Sequence, residues 1–222
     1  MNRRFLRPAA ALLTLQLLLP LTGCRTAVYS VKEKFGIEKR DIMIARVDDA
    51  QSAQEKAREQ FVDALESFKA VVKVEPGNLE KTYSRLKAEL ERSESRAKAV
   101  TDRIDAVETV ARDLFREWER ELDAYSNAEL RRTSSRQLDA TRRQSDQMLA
   151  AMRKAEAKLE PVLKALRDQV MFLKHNLNAQ AIGSIRGEVG RIETEVASLV
   201  KDMDAAIREA ASFIQSMQSS GG

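Results

Sequence analysis

The sequence predicts an all-α protein: an elongated, antiparallel, coiled-coil-like four-helix bundle running up-down-up-down, with the inner two helices longer than the outer two. Three observations predict it. Apolar residues recur in alternating steps of four and three along most of the 222 residues, the period of helices that keep one stripe against a partner. Charged residues make up 32% of the chain and aromatic ones 5%, with 4 prolines, the balance of long solvated helices. Three short turn-forming sequences interrupt the period, and short turns make consecutive helices antiparallel neighbours.

The chain opens differently. Residues 1–23 read as a signal peptide: Arg3, Arg4 and Arg7 precede an apolar run from Ala9 to Leu21, with no acidic residue before Cys24. That run is shorter than the roughly 20 apolar residues of a spanning helix. Leu21-Thr22-Gly23-Cys24 has the form of a lipobox, with small residues ahead of the only cysteine in the sequence. Cys24 is therefore expected to carry acyl chains and to hold the mature protein on the periplasmic side of a bacterial envelope. Arg25, in place of aspartate, points to the outer rather than the inner membrane. Arg3-Arg4-Phe5-Leu6 lacks the spacer of a twin-arginine signal, so general secretion is the expected route.

Residues 24–37 read as the lipidated cysteine and a tether, and 38–217 as the bundle. The first helix, about 38–74, carries Val47, Phe61, Leu65, Phe68 and Val72 on one face, with Ala50 and Ala57 between. Glu75-Pro76-Gly77-Asn78 stops it. The second, about 79–125, has the most regular stripe, from Leu79 through Leu86, Val100, Ile104 and Val107 to Trp118, with Ser93 its only polar member. Tyr125-Ser126-Asn127 breaks the period and supplies an N-cap. The third, about 128–176, runs its stripe from Leu138 to Leu166 across Pro161, which predicts a kink rather than an end because the period continues on both sides. His175-Asn176-Leu177-Asn178 forms the third junction. The fourth, about 179–217, places Ile182, Ile185, Ile192, Leu199, Met203 and Phe213 inward, and 218–222 reads as a disordered tail.

At 1.5 Å per residue the outer helices span roughly 55–60 Å and the inner pair about 70 Å, so helices two and three overhang by about two to three turns. Pairing across the turns sets Glu38 opposite Phe115 and Ser216 near Ala140. The overhang is thus about 115–140, at the end where helix one begins. It combines Phe115, Trp118, Leu122 and Tyr125 with Arg131, Arg132 and Arg136, a mixture suited to a headgroup interface or an envelope component. The competing expectation is a self-neutralised hairpin, with Arg132 near Glu121 and Arg136 near Glu117.

Other features exclude more than they suggest. Without Arg3, Arg4 and Arg7 the formal charge of +4 falls to +1, so the pI near 9.2 does not argue for nucleic acid. Gly183, Gly187 and Gly190 share one face of helix four and predict close helix packing; they lack the lysine and preceding strand of a phosphate loop. His175 is the only histidine, and with no cysteine or second histidine beside it, no metal site is expected. It reads as a turn residue or as a cation at a helix C-terminus. Carboxylates such as Asp48, Asp49, Asp102 and Asp105 lie among Lys and Arg on polar faces, so no general acid or base stands apart. No catalytic residue, cofactor or small-molecule substrate is expected.

Three segments carry a family resemblance: Gly36-Ile-Glu-Lys-Arg-Asp-Ile, Tyr125-Ser-Asn-Ala-Glu-Leu-Arg-Arg, and Leu166 to Ala181 with its Phe-Leu-Lys-His-Asn-Leu-Asn-Ala-Gln-Ala ending. Over about 31–214 the chain resembles the proteobacterial family catalogued as domain of unknown function 2959. The resemblance implies a helical envelope protein and brings no activity, cofactor or catalytic residue. It also marks His175, Asn176 and Asn178 as a candidate interaction corner. The expectation is a lipid-anchored periplasmic scaffold or adaptor, not an enzyme, acting through protein contacts or self-association on its helical faces. The alternative is a peripheral binder of membrane lipid or cell-wall polymer through the tip.

Overall fold

The structure, a computed structural model, describes residues 39–71, 78–176 and 179–219, the side chains of 179–181 excepted. Cys24, the signal peptide, the tether, the Pro76-Gly77 turn, Val72, Asn178 and residues 220–222 lie outside the described residues. Among the described residues there are five helices: α1 (Lys39–Val71), α2 (Leu79–Leu122), α3 (Ala128–Glu156), α4 (Leu159–His175) and α5 (Ala179–Ser219). With α3 and α4 taken as one interrupted rod, four rods pack as a bundle. Each touches its neighbours in chain order, and α5 closes the ring against α1.

The stripe positions form the core. Val47, Ala50, Ala57, Phe61 and Phe68 of α1, Leu86, Val100, Ile104 and Val107 of α2, and Met148, Met152 and Leu166 of α3 and α4 are at most 1% exposed. Ile185, Ile192, Leu199, Met203, Ala206 and Ala210 of α5 are equally shut away. Full burial of a large aliphatic or aromatic side chain is worth about 1.5–3 kcal/mol, so these rows, repeated over many turns, hold the rods together. Among the described residues, three polar side chains in these rows are fully buried, at 0% exposed. Ser93 donates to the Glu89 carbonyl at 2.8 Å, whereas both amide atoms of Gln54 and the Ser145 hydroxyl are buried without a partner among the described residues.

Ion pairs along the seams fix the register. Arg58 meets Asp204 at 2.8 Å and Lys69 meets Glu193 at 3.2 Å, tying α1 to α5. Arg153 meets Asp105 and Glu108, each at 2.6 Å, and Arg167 meets Glu94 at 2.7 Å, tying α3 and α4 to α2. Asp202 of α5 is 5% exposed and lies between Lys154, 3.1 Å away, and Lys158. Apart from buried Asp202, these exposed pairs contribute little each, about 0–1 kcal/mol. Their effect is to reject slipped registers, which would set like charges together.

The third rod departs from expectation. Instead of a kink at Pro161, the helix ends at Glu156 and restarts at Leu159. The Ala157 carbonyl would take its helical hydrogen bond from the N–H of residue 161, and proline has none. The chain tightens there: Ala157 N–H still reaches the Arg153 carbonyl, but Lys158 N–H turns to that of Ala155. A second departure concerns the glycines. A Cβ built on Gly183, Gly187 or Gly190 would meet nothing within 4 Å among the described residues. They stand on an open face, and the expectation of close packing is corrected.

Candidate interaction sites at the bundle end and at the helix break

The end of the bundle is defined by where the outer rods stop. Lys39, the first residue of α1, is ion-paired with Glu117 of α2, and Ser216 of α5 donates to Gln144 of α3 at 2.8 Å. Phe115 and Leu138 are the last buried residues on the two inner rods, and between them no residue is buried. The overhang therefore runs from 116 to 137. α5 meets α3 one turn further from the tip than the expected Ala140.

Within that hairpin, Asn127 caps α3 by accepting from the N–H groups of Glu129 and Leu130 at 2.8 and 3.1 Å. Trp118 is half-buried and donates its indole N–H to the Ser134 hydroxyl at 2.8 Å, bridging the two helices. One turn nearer the tip, Leu122 is half-buried and Leu130 is 56% exposed. Tyr125 beside the turn is 41% exposed. Phe115 belongs instead to the core, 6% exposed with the Arg142 guanidinium 5.2 Å from its ring centre.

The arginines do not pair as expected. Arg131 takes Asp123 at 2.6 Å, Arg132 takes Glu129 of its own helix at 3.5 Å, and Arg136 reaches the Thr133 hydroxyl at 3.4 Å. Glu117 is held by Lys39 and Glu119 by Arg142. Arg132 and Arg136 are exposed, and residues across a hairpin meet only when they share the facing sides.

At the corner, His175 is the exposed last residue of α4. The Asn176 side-chain amide donates to the Phe172 carbonyl at 3.0 Å, closing a helix end that would otherwise leave that group open. Asn178 lies outside the described residues.

The helix break creates a feature that sequence reasoning missed. A groove of about 580 Å³ opens between α2 and the α3–α4 junction. Ala97, Leu159 and Leu163 form its floor, and Glu94, Lys98, Arg153, Glu156, Glu160 and Arg167 its rim. Partial burial opposes the charge of Arg153, but hydrogen bonds to Glu156, Asp105 and Glu108 outweigh it and raise the guanidinium above the ordinary arginine value. Glu94, then Glu160, do the same for Arg167. Both arginines are thus fixed cations. The available signal was Pro161, four residues beyond the point where the helix fails.

Among the described residues no helix is long and apolar enough to cross a membrane, and no group of three or more His, Cys, Asp or Glu side chains is placed to hold a metal ion. The described residues form an all-α bundle of four rods, with a hairpin overhang at one end and a groove along one side. The chain belongs to the family described as Protein of unknown function (DUF2959), whose profile matches residues 28–217. Among curated proteins none matches the sequence.

Proposed function

We propose that this protein is a lipid-anchored helical scaffold on the periplasmic side of a bacterial envelope, attached through Cys24 and binding a protein partner along the side of its bundle. The groove at the α3–α4 break carries the reading. It joins a small apolar floor to a rim of fixed charges of both signs, the make-up of a pocket that takes an anchoring side chain and orients it with polar contacts. The lipobox supports the attachment and Arg25 an outer-membrane address.

A photo-crosslinking residue at Lys98, on the rim, tests the binding in cells. One discrete protein adduct is expected. It should disappear when Thr101→Trp fills the groove in a chain that still melts as the parent does. Adducts with lipid or glycan alone overturn the scaffold reading. The mass of the Cys24 peptide tests the anchor separately, and an unmodified cysteine overturns it.

A further inference from the structure

The inner faces of α2 and α3, packed beneath α1 and α5 along the bundle, continue into the overhang with nothing among the described residues over them. Trp118 and Leu122 of α2 and Leu130 of α3 line that shelf, and Tyr125 stands at its outer edge. We propose that this hairpin end is a membrane foot that seats in the headgroup layer of an anionic phospholipid surface.

Area argues first against a protein occupant. Two helices about 10 Å wide, uncovered for two to three turns, offer roughly 300 Å². A stable protein interface needs about 800 Å² from each partner, so a second copy or a free protein gains too little here. A lipid surface has no such threshold when the chain is already held near it, because a weak second contact acts at high effective concentration. Lys39 sits at the base of the overhang, so the chain leading from Cys24 joins the bundle at this end.

Composition argues next. Tyr and Trp favour the boundary where a ring is dry and its polar edge is wet, and Leu130 adds an aliphatic tooth beside them. Charge agrees. Once Lys39 and Arg142 have taken Glu117 and Glu119, the overhang keeps five arginines (116, 120, 131, 132 and 136) against Glu121, Asp123 and Glu129. The surplus guanidinium groups suit phosphate.

Trp118 is the only tryptophan in the chain, so the foot carries its own reporter. The full chain is mixed with phosphatidylglycerol–phosphatidylethanolamine vesicles carrying brominated acyl chains, while sedimentation scores attachment independently. Trp118 emission is expected to shift to the blue and to be quenched. Tyr125→Asp with Leu130→Asp should abolish the quenching in protein that still sediments, whereas Met171→Asp, on an exposed site of α4, should leave it intact. Arg120→Glu with Arg136→Glu should weaken it, as should replacing the anionic lipid with phosphatidylcholine. Protein that sediments with unquenched Trp118 overturns the foot and leaves the anchor standing. Vesicles that recover no protein overturn both. The foot also falls if the shift needs no vesicles and accompanies a doubling of mass in light scattering, or if isolated cell-wall polymer produces it and vesicles do not.

Discussion

Gly183, Gly187 and Gly190 occupy the outer side of α5 with open space where a side chain would go. Glycine in a helix interior costs about 1 kcal/mol relative to alanine, mainly in chain entropy. Each Gly→Ala change is therefore expected to raise stability by up to about 1 kcal/mol in denaturant unfolding; a loss at any of the three would show a packed face. The spacing of these glycines resembles a packing motif, but phase decides. Ile182, Ile185 and Ile192 point inward, and each glycine falls roughly a quarter-turn or more off that line. The same scale governs Asp202. Hydrogen bonds from Lys158, then Lys154, outweigh its burial and hold its carboxyl below the usual aspartate value. A folded-state value below the unfolded one gives stability that is present above the unfolded value and fades as pH falls through the folded one. Asp202→Asn is expected to cost about 1.5–3 kcal/mol at neutral pH, the range for hydrogen bonds to charged groups. Melts at falling pH should show the gap from wild type closing below the ordinary aspartate range. A pH-independent gap would assign the loss to packing.

Helical stripes were legible because burial follows the period: Leu138, Thr141, Ser145, Met148, Met152 and Ala155 of α3 are all buried in their read positions. The break between α3 and α4 was not. Side-chain period passes through it without a phase error, while the cause lies in the backbone, in a missing N–H at Pro161. The groove was hidden for the same reason, since its floor residue Leu159 reads simply as stripe. Restoring the donor should restore the rod. In Pro161→Ala the amide of residue 161 is expected to become protected against hydrogen exchange, with protection extending across 158–160, and the crosslink from Lys98 should weaken as the groove narrows. Unchanged exchange would mean that the Lys158–Asp202 attachment, rather than proline, sets the break. Hairpin pairing was legible only as levels. Which arginine meets which carboxylate depends on facing sides, and a single residue's step separates Arg131, which pairs across the hairpin, from Arg132, which does not.

The whole bundle closes its core between Phe115 and Leu138 at one end, so the overhang beyond them adds no buried residue to it. Removing 119–133 and joining Trp118 to Ser134 through a short Gly-Asn turn is expected to leave the melting temperature within a few degrees, because about 1 kcal/mol moves a domain of this size by roughly 2–4 °C. The shortened chain should lose the vesicle contact of its tryptophan while keeping the groove crosslink. A collapse in stability would show that the hairpin nucleates or braces the bundle.

The placement of Lys39 beside Glu117 and of Ser216 beside Gln144 also has a mechanical side. The first and last described turns of the bundle lie at the same end, on adjacent antiparallel rods. A load applied between them pulls across the rods rather than along them, and so opens the seam between α1 and α5 one layer at a time. The molecule yields as a zipper, at low force and in small steps, where a load drawn between opposite ends would have to shear every layer at once. If the same end is held to a membrane through both anchor and foot, tension in the surface passes through the base of the hairpin and leaves the long sides, with their groove, unstrained.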